Sequence, residues 1–279
     1  MKFTTASIAL SAMAMIQKVS ASSDFTALGV SYSPYTNAGD CKTASEVASD
    51  LAQLTDFSII RLYGVDCSQV ENVLAAKTSS QTIFQGIYYM DQIAAGVETI
   101  SAAITSTGSS WDDFSTISVG NELVNSGSAT VEQVSGYVTT ARSALESAGY
   151  TGSVVAVDTF IAVIDNPGLC DISDYMAVNA HAYFDYNTAA ADAGPWVLEQ
   201  IQRVWYACGG DKSVTITETG WPSAGDTYGA AIPSLANQEA ALSSIQDTCG
   251  SDVFLFSAFN NGWASPGAYD VEQYFGIIH

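Results

Sequence analysis

Val214-Thr215-Ile216-Thr217-Glu218, followed by Thr219-Gly220-Trp221-Pro222, is a short β-branched run that ends on a carboxylate and then on turn residues. A run of this length closed by Gly and Pro reads as a buried strand rather than a helix. Seven further runs have the same character, at residues 28–33, 58–63, 82–88, 117–122, 154–158, 175–181 and 253–259. They are nearly continuous in apolar residues instead of alternating, as parallel strands covered on both faces are.

Between them lie stretches with helical spacing, at 43–54, 68–76, 93–105, 130–147, 195–207 and 235–248. In the fourth, Val131, Val134, Val138, Ala141 and Leu145 share one face, and Gly149 follows as a stop. Pro195 suits the first turn of its helix. Asn166-Pro167-Gly168 interrupts the segment after the fifth strand, which predicts a short or irregular helix there. Strand and helix patterns in alternation imply an α/β fold with a parallel sheet. Eight such units within residues 22–279, close to the ~250 residues of a typical TIM barrel, favour a single closed (β/α)8 barrel over an open sheet. No G-x-G-x-x-G follows the first strand and no P-loop is present, which weakens nucleotide-binding alternatives.

Residues 1–21 have the layout of a secretory signal: Lys2, an apolar run from Ala6 to Ile16, then Val19-Ser20-Ala21. The run is too short to span a bilayer, which takes roughly 20 apolar residues, so no membrane span is expected. The catalytic domain is then 22–279, without linker or repeat. The chain carries 8 basic and 29 acidic side chains, net −21, and two of the lysines fall in the leader. Such a field repels nucleic acid and anionic membranes, whereas a neutral polymer feels no such repulsion. Cys41, Cys67, Cys170, Cys208 and Cys249 have neither zinc nor thioredoxin spacing, and a secreted chain favours disulfides. Cys41 and Cys67 follow the first two strands and so occupy neighbouring loops, which makes them the favoured pair. Cys170 and Cys208 belong at the opposite end, with Cys249 competing for Cys208.

Catalytic groups of a barrel gather at the carboxyl ends of its strands. The fourth strand ends Ser118-Val119-Gly120-Asn121-Glu122 and the seventh ends on Glu218. Two carboxylates flanking a scissile bond are the minimum equipment for cleaving a glycoside, one protonating the leaving oxygen and the other attacking or activating water. A solvated or ion-paired carboxylate is the bland alternative for either. Aromatic rings near strand ends suit stacking on sugars; Tyr32 and Trp263 are expected to do so. Tyr63 and Trp221 are candidates, and Tyr88, Phe160 and Phe184 read as core or wall. Arg61 is expected inside the top of the barrel, orienting a carboxylate at the substrate site. No second histidine or Cys/His cluster stands beside His181, so neither a metal nor a cofactor is expected.

SVGNE at 118–122 and VTITETGWPSAG at 214–225 resemble glycoside hydrolase family 17, the β-1,3-glucanases and glucanosyltransferases. The likeness extends through RLYGVDC at 61–67, VAVDTF at 155–160, NAHAYFD at 179–185, FNNGW at 259–263 and VEQYFGI at 271–277, and within the family it is nearest to fungal cell-wall enzymes. It implies a retaining mechanism, with Glu122 as acid/base and Glu218 as nucleophile, and Asn121 bonding the sugar 2-hydroxyl. His181 and Tyr183 would stand where relatives face the nucleophile. This chain departs from the fungal pattern at Asn261 and Ala264, where an acid and a lysine are usual, and at Ala180 and Phe275. The resemblance implies a monomer that acts on β-glucan polysaccharide or oligosaccharide outside the cell. Cleavage of internal β-1,3 bonds is the first expectation, glucanosyl transfer its neighbour, and non-catalytic glucan binding a more distant alternative.

Overall fold

The computed structural model describes residues 26–279, so the expected signal at 1–21 lies outside the described residues. Eight parallel strands, β1 (Gly29–Ser31), β2 (Ile59–Leu62), β3 (Thr82–Ile87), β4 (Phe114–Val119), β5 (Ser153–Thr159), β6 (Met176–Asn179), β7 (Val214–Thr219) and β8 (Val253–Leu255), close in sequence order into one barrel. Seven α-helices surround it: α1 (Ala44–Leu51), α2 (Gln69–Ala76), α3 (Ile93–Thr107), α4 (Val131–Ser147), α5 (Phe160–Asp165), α6 (Ala193–Ala207) and α7 (Leu235–Cys249). The single TIM barrel expected from the alternation is what the chain forms.

Helix ends follow local chemistry. Thr43 with Glu46 and Thr130 with Gln133 form capping boxes at α1 and α4, satisfying N–H groups that the first turn leaves unpaired. Gly149, two residues past α4, takes φ 92°, which a side chain would resist. The Asn-Pro-Gly interruption limits α5 to six residues, and a 3-10 turn at Pro167–Asp171 follows it.

Several boundaries differ from expectation: the fourth strand runs over 114–119 instead of 117–122 and the sixth stops at Asn179 instead of 181, so Glu122 and His181 stand in the loops just past them. The first helix ends at Leu51 rather than 54, because Gln53 and Leu54 close tight turns onto Asp50 and Leu51. The regular eighth strand stops at Leu255 rather than 259. Phe256 N and Ala258 N still donate to Thr219 O of β7 and Ser31 O of β1, but residues 257 and 258 also pair with the C-terminal segment, which breaks the regular ladder. Ser257 N donates to Phe275 O, and Ile277 N and Ile278 N return to Ser257 O and Ala258 O.

Period-two alternation sorts side chains between two cores. On β2, Ile60 and Leu62 join the large apolar layer under the helices, while Ile59, Arg61 and Tyr63 point into the barrel. Phe84, Val155, Val157, Ala177 and Phe254 fill the lower interior, with Phe84 and Phe254 edge to face at 5.4 Å. Arg61 lies over Phe84, 5.6 Å from its centroid. The apolar filling ends there and a polar layer begins. Cys41–Cys67 is a disulfide with Cα atoms 5.2 Å apart and joins the loops after β1 and β2; Cys170–Cys208 is the second, and Cys249 is buried and free.

Gly86 shows how tightly the wall beneath the polar layer is built, because a Cβ there would meet the Tyr63 carbonyl oxygen at 2.3 Å. Backbone cannot rotate away as a side chain can. Gly86→Ala is expected to cost about 1–3 kcal/mol and to lower Tm by several degrees in thermal unfolding; an unchanged Tm would contradict this packing.

Candidate active site

Glu218 ends β7 almost fully buried, at 6% exposure. Arg61 Nη1 and the Tyr63 hydroxyl both donate to Glu218 Oε1 at 2.7 Å, and His181 Nε2 stands 3.2 Å from Oε2. Burial by itself pushes this carboxyl up. The Arg61 charge, the His181 contact and the Tyr63 hydrogen bond outweigh it and hold the pKa at about 2. Glu218 is therefore an anion kept charged in a dry place by a fixed cation.

Arg61 is buried too and spends its fork widely. Nη1 also donates to Thr217 O at 2.8 Å and to the Tyr63 hydroxyl at 3.0 Å, and Nη2 to Asn121 Oδ1 at 2.9 Å. With Oδ1 taken, the Asn121 NH2 is the end left to donate towards the cleft.

Glu122 follows β4 in the left-handed region, φ 54°, which non-glycine residues rarely adopt. Three contacts hold it there. Glu122 N donates to Val157 O at 2.9 Å, and the Asp158 carboxylate accepts from Val124 N and Asn125 N at 2.8 and 3.1 Å. Asn179 Nδ2 donates to Glu122 Oε1 at 2.9 Å, and Thr217 Oγ1 donates to Asn179 Oδ1 at 2.7 Å, which fixes the amide orientation. Burial, and then repulsion from Glu218, raise the Glu122 pKa above the ordinary carboxylate range despite the Asn179 hydrogen bond. The two carboxyls are therefore pushed in opposite directions, Glu122 up and Glu218 down. Such a division is what acid and nucleophile need.

Both groups line a cleft of about 580 Å3. Asn121, Tyr63, His181 and Trp263 also line it, as expected for contact with substrate. Trp263 is 43% exposed and meets Tyr35 edge to face at 5.0 Å.

Other expectations are corrected. Tyr32 borders the cleft but is 1% exposed, with its hydroxyl donating to Asp50 Oδ2 of α1 at 2.7 Å, so no ring face is left for a sugar. Tyr183 and Trp221 are fully buried against each other; their polar atoms donate to Asp226 O and Ile232 O, which makes them packing between loops. Arg61 orients a carboxylate inside the top of the barrel, as expected, but it does so from behind Glu218 and does not itself line the cleft. Tyr88, taken as core or wall, is 52% exposed on the rim beside Tyr89. Phe184 is wall, and Phe160 packs on Trp196 away from the cleft.

Sequence reasoning passed over Asn179, the donor to Glu122, and two further cleft carboxylates, Asp66 and Glu272, the second of which burial pushes up. Asn179 closes β6 one residue before Ala180 and two before His181, so its place at a strand end was a usable signal. Glu272 comes from the tail after β8, inside the VEQYFGI stretch at 271–277, which marked the family likeness without pointing to this residue as part of the site.

Residues 29–276 match the family model described as the BtgE/BtgC glycoside hydrolase domain. The chain belongs to that family. The glycoside hydrolase domain is 69% identical over 252 residues to a protein named probable family 17 glucosidase SCW10 of Saccharomyces cerevisiae, covering 90% of this chain and 64% of that one. It is 61% identical over 251 residues to the cell surface mannoprotein MP65 of Candida albicans, covering 90% and 66%. The chain thus spans just under two thirds of the length of these relatives. A solved family 17 β-1,3-glucanosyltransferase from Rhizomucor miehei shares the fold, with a TM-score of 0.75 and 22% identity over 90% of this chain and 92% of that one.

Two outcomes follow from the Glu218 environment of this domain. Tyr63→Phe keeps the ring and removes one hydrogen bond to the anion, so the Glu218 pKa rises. The acid limb of a kcat/KM profile is expected to move towards neutrality by about one pH unit; a limb that stays in place would show that the hydroxyl does not hold the charge. In the wild type the depressed Glu218 pKa stabilises the fold above its unfolded value of 4.5, and that share is lost as pH falls towards about 2. Arg61→Leu leaves a buried charge unpaired and is expected to cost about 3–5 kcal/mol at pH 7. Chemical denaturation should find the gap to wild type narrowed at pH 3, where the orphaned Glu218 can take a proton.

Proposed function

We propose that this protein is a secreted retaining glycoside hydrolase that cleaves internal β-1,3 bonds of β-glucan as a single chain. The observation that carries the reading is the placing of Glu122 just past β4 and Glu218 on β7, joined through Asn179, Asn121 and Arg61 by hydrogen bonds, with the pKa of Glu122 pushed up and that of Glu218 pushed down. The ionised Glu218 attacks the anomeric carbon as protonated Glu122 gives its proton to the departing oxygen, leaving a glycosyl ester on Glu218. Forming that ester consumes the Glu218 charge and with it the repulsion that raised Glu122. Glu122 then takes a proton from water, which attacks the ester, releases the sugar and restores both carboxyls. Asn121, its amide fixed by Arg61, is assigned to the sugar 2-hydroxyl.

Family membership supports glycoside chemistry, and the relatives, one named a family 17 glucosidase and the other a cell surface mannoprotein, support a glucoside substrate met at a cell surface. The leader-like residues 1–21 and two disulfides suit an oxidising compartment outside the cell. No described helix is long and apolar enough to cross a membrane. Hydroxyl-rich neutral chains also avoid the electrostatic cost that an anionic polymer would meet at a protein of net charge −21. A second reading, glucanosyl transfer, is favoured by the exposed rims: Tyr88, Tyr89 and Trp263 offer ring area on which an acceptor sugar could seat in place of water.

The test is turnover of laminarin by wild type and Glu218→Ala, with a mechanism-based inhibitor mapped by peptide mass. Activity is expected in the wild type, a loss of at least about 10^4-fold in the variant, and the label on Glu218. Inert wild type that still bound glucan would overturn the enzyme reading, and a label elsewhere would overturn the nucleophile. Products longer than the supplied laminari-oligosaccharide would select transfer over hydrolysis.

A further inference from the structure

Beyond the cleft, three tyrosines from three different loops stand ring against ring. Phe184 lines the cleft at 42% exposure, with its centroid 6.5 Å from that of Tyr269. Tyr269 meets Tyr228 at 4.5 Å and 37°, and Tyr228 meets Tyr186 at 5.3 Å and 83°. Tyr186, at the outer end, is 59% exposed. The row thus leads from the cleft wall across the loops after β6, β7 and β8 to open solvent. None of these tyrosines is among the residues lining the cleft.

Such a row could be incidental if the loops merely met. They are instead tied together by their backbones. Asp226 N donates to Tyr269 O and Ala230 N to Tyr186 O, both at 2.8 Å, and Tyr228 and Ala231 exchange two further bonds. Two glycines permit the approach: Gly225 at φ 114° and Gly229 at φ 62°, where a Cβ would meet Asp270 O at 2.5 Å and Tyr186 O at 2.3 Å. The Tyr183 hydroxyl, which the cleft does not use, donates to Asp226 O and braces the same loop from below. The rings are therefore held before any ligand arrives, which lowers the cost of binding one.

We propose that Tyr269, Tyr228 and Tyr186 form a track that binds the distal units of the same neutral glucan chain whose reacting units occupy the cleft. The occupant follows from continuity, because Phe184 belongs to both the cleft wall and the row. It follows also from chemistry: flat rings carrying hydroxyls, on loops that also bear Asp226 and Asp270, suit a polyhydroxylated chain, and the acidic surroundings disfavour an anionic one. The inference rests on the glucan-active reading above.

The test compares wild type, Tyr186→Ala and Tyr186→Trp on a long soluble β-1,3-glucan and on a short laminari-oligosaccharide that fills the cleft alone. Tyr186 is chosen because its exposure spares the fold, which Tm checks. Loss of one stacking ring is expected to raise KM for the polymer about three- to tenfold with kcat held, to leave kcat/KM on the short substrate within about twofold, and to be recovered by the tryptophan variant. Equal effects on both substrates, or no effect on the polymer, would overturn the track. So would a Tyr186→Ala variant that changes oligomeric state in size-exclusion chromatography, since the row would then face a second copy. Wild type inactive on both glucans would instead overturn the functional reading on which the track rests.

Discussion

A buried ion pair, Arg61 with Glu218 at 2.7 Å, is the contact on which the rest of this site depends. A carboxylate at 6% exposure, placed close to a second one, would ordinarily take a proton and lose its charge. Arg61 prevents this from directly behind, where the last aromatic of the barrel filling, Phe84, gives way to polar groups. A guanidinium is suited to that position because its planar fork reaches Glu218, Thr217 O, Tyr63 and Asn121 at once. A lysine would offer a point charge without that reach.

The same pair also acts on Glu122. Burial raises Glu122, and the field of the ionised Glu218 adds to the effect. Geometry completes the arrangement: Asp158 at the end of β5 captures two backbone N–H groups of the loop after β4, so Glu122 keeps a left-handed backbone that an unsupported loop would relax. Stability is spent on holding charges and strained backbone ready. That expense is characteristic of a site that stabilises developing charge through groups already in place.

The strand ends also explain where the loops can go. Disulfide Cys41–Cys67 joins the loops after β1 and β2 on one flank of the cleft, while backbone bonds join the loops after β6, β7 and β8 on the other. Both flanks are therefore stiff, one covalently and one through paired amides. The exposed Trp263 ring, from the loop after β8, rests against Tyr35 of the disulfide-held flank, and the tyrosine row lies on the other flank.

Much of this was legible in the sequence, for definite reasons. Parallel strands buried on both faces leave continuous apolar runs, so the eight-fold alternation disclosed the barrel, and polar residues ending such runs disclosed Glu122, Glu218 and His181. Cys41 and Cys67 could be paired because consecutive barrel loops share one face. What the sequence could not show was which way an aromatic at a strand end turns. Tyr32, Tyr183 and Trp221 looked like Trp263, yet the first three are enclosed by Asp50, Asp226 O and Ile232 O, and only Trp263 keeps an exposed ring. Nor could it join Glu272 to the site, since that residue arrives on a tail whose course is set by pairing with residues 257 and 258. Periodicity and strand-end chemistry are local and can be read along the chain. Side-chain direction and proton affinity depend on neighbours brought from other strands, and only the closed barrel supplies them.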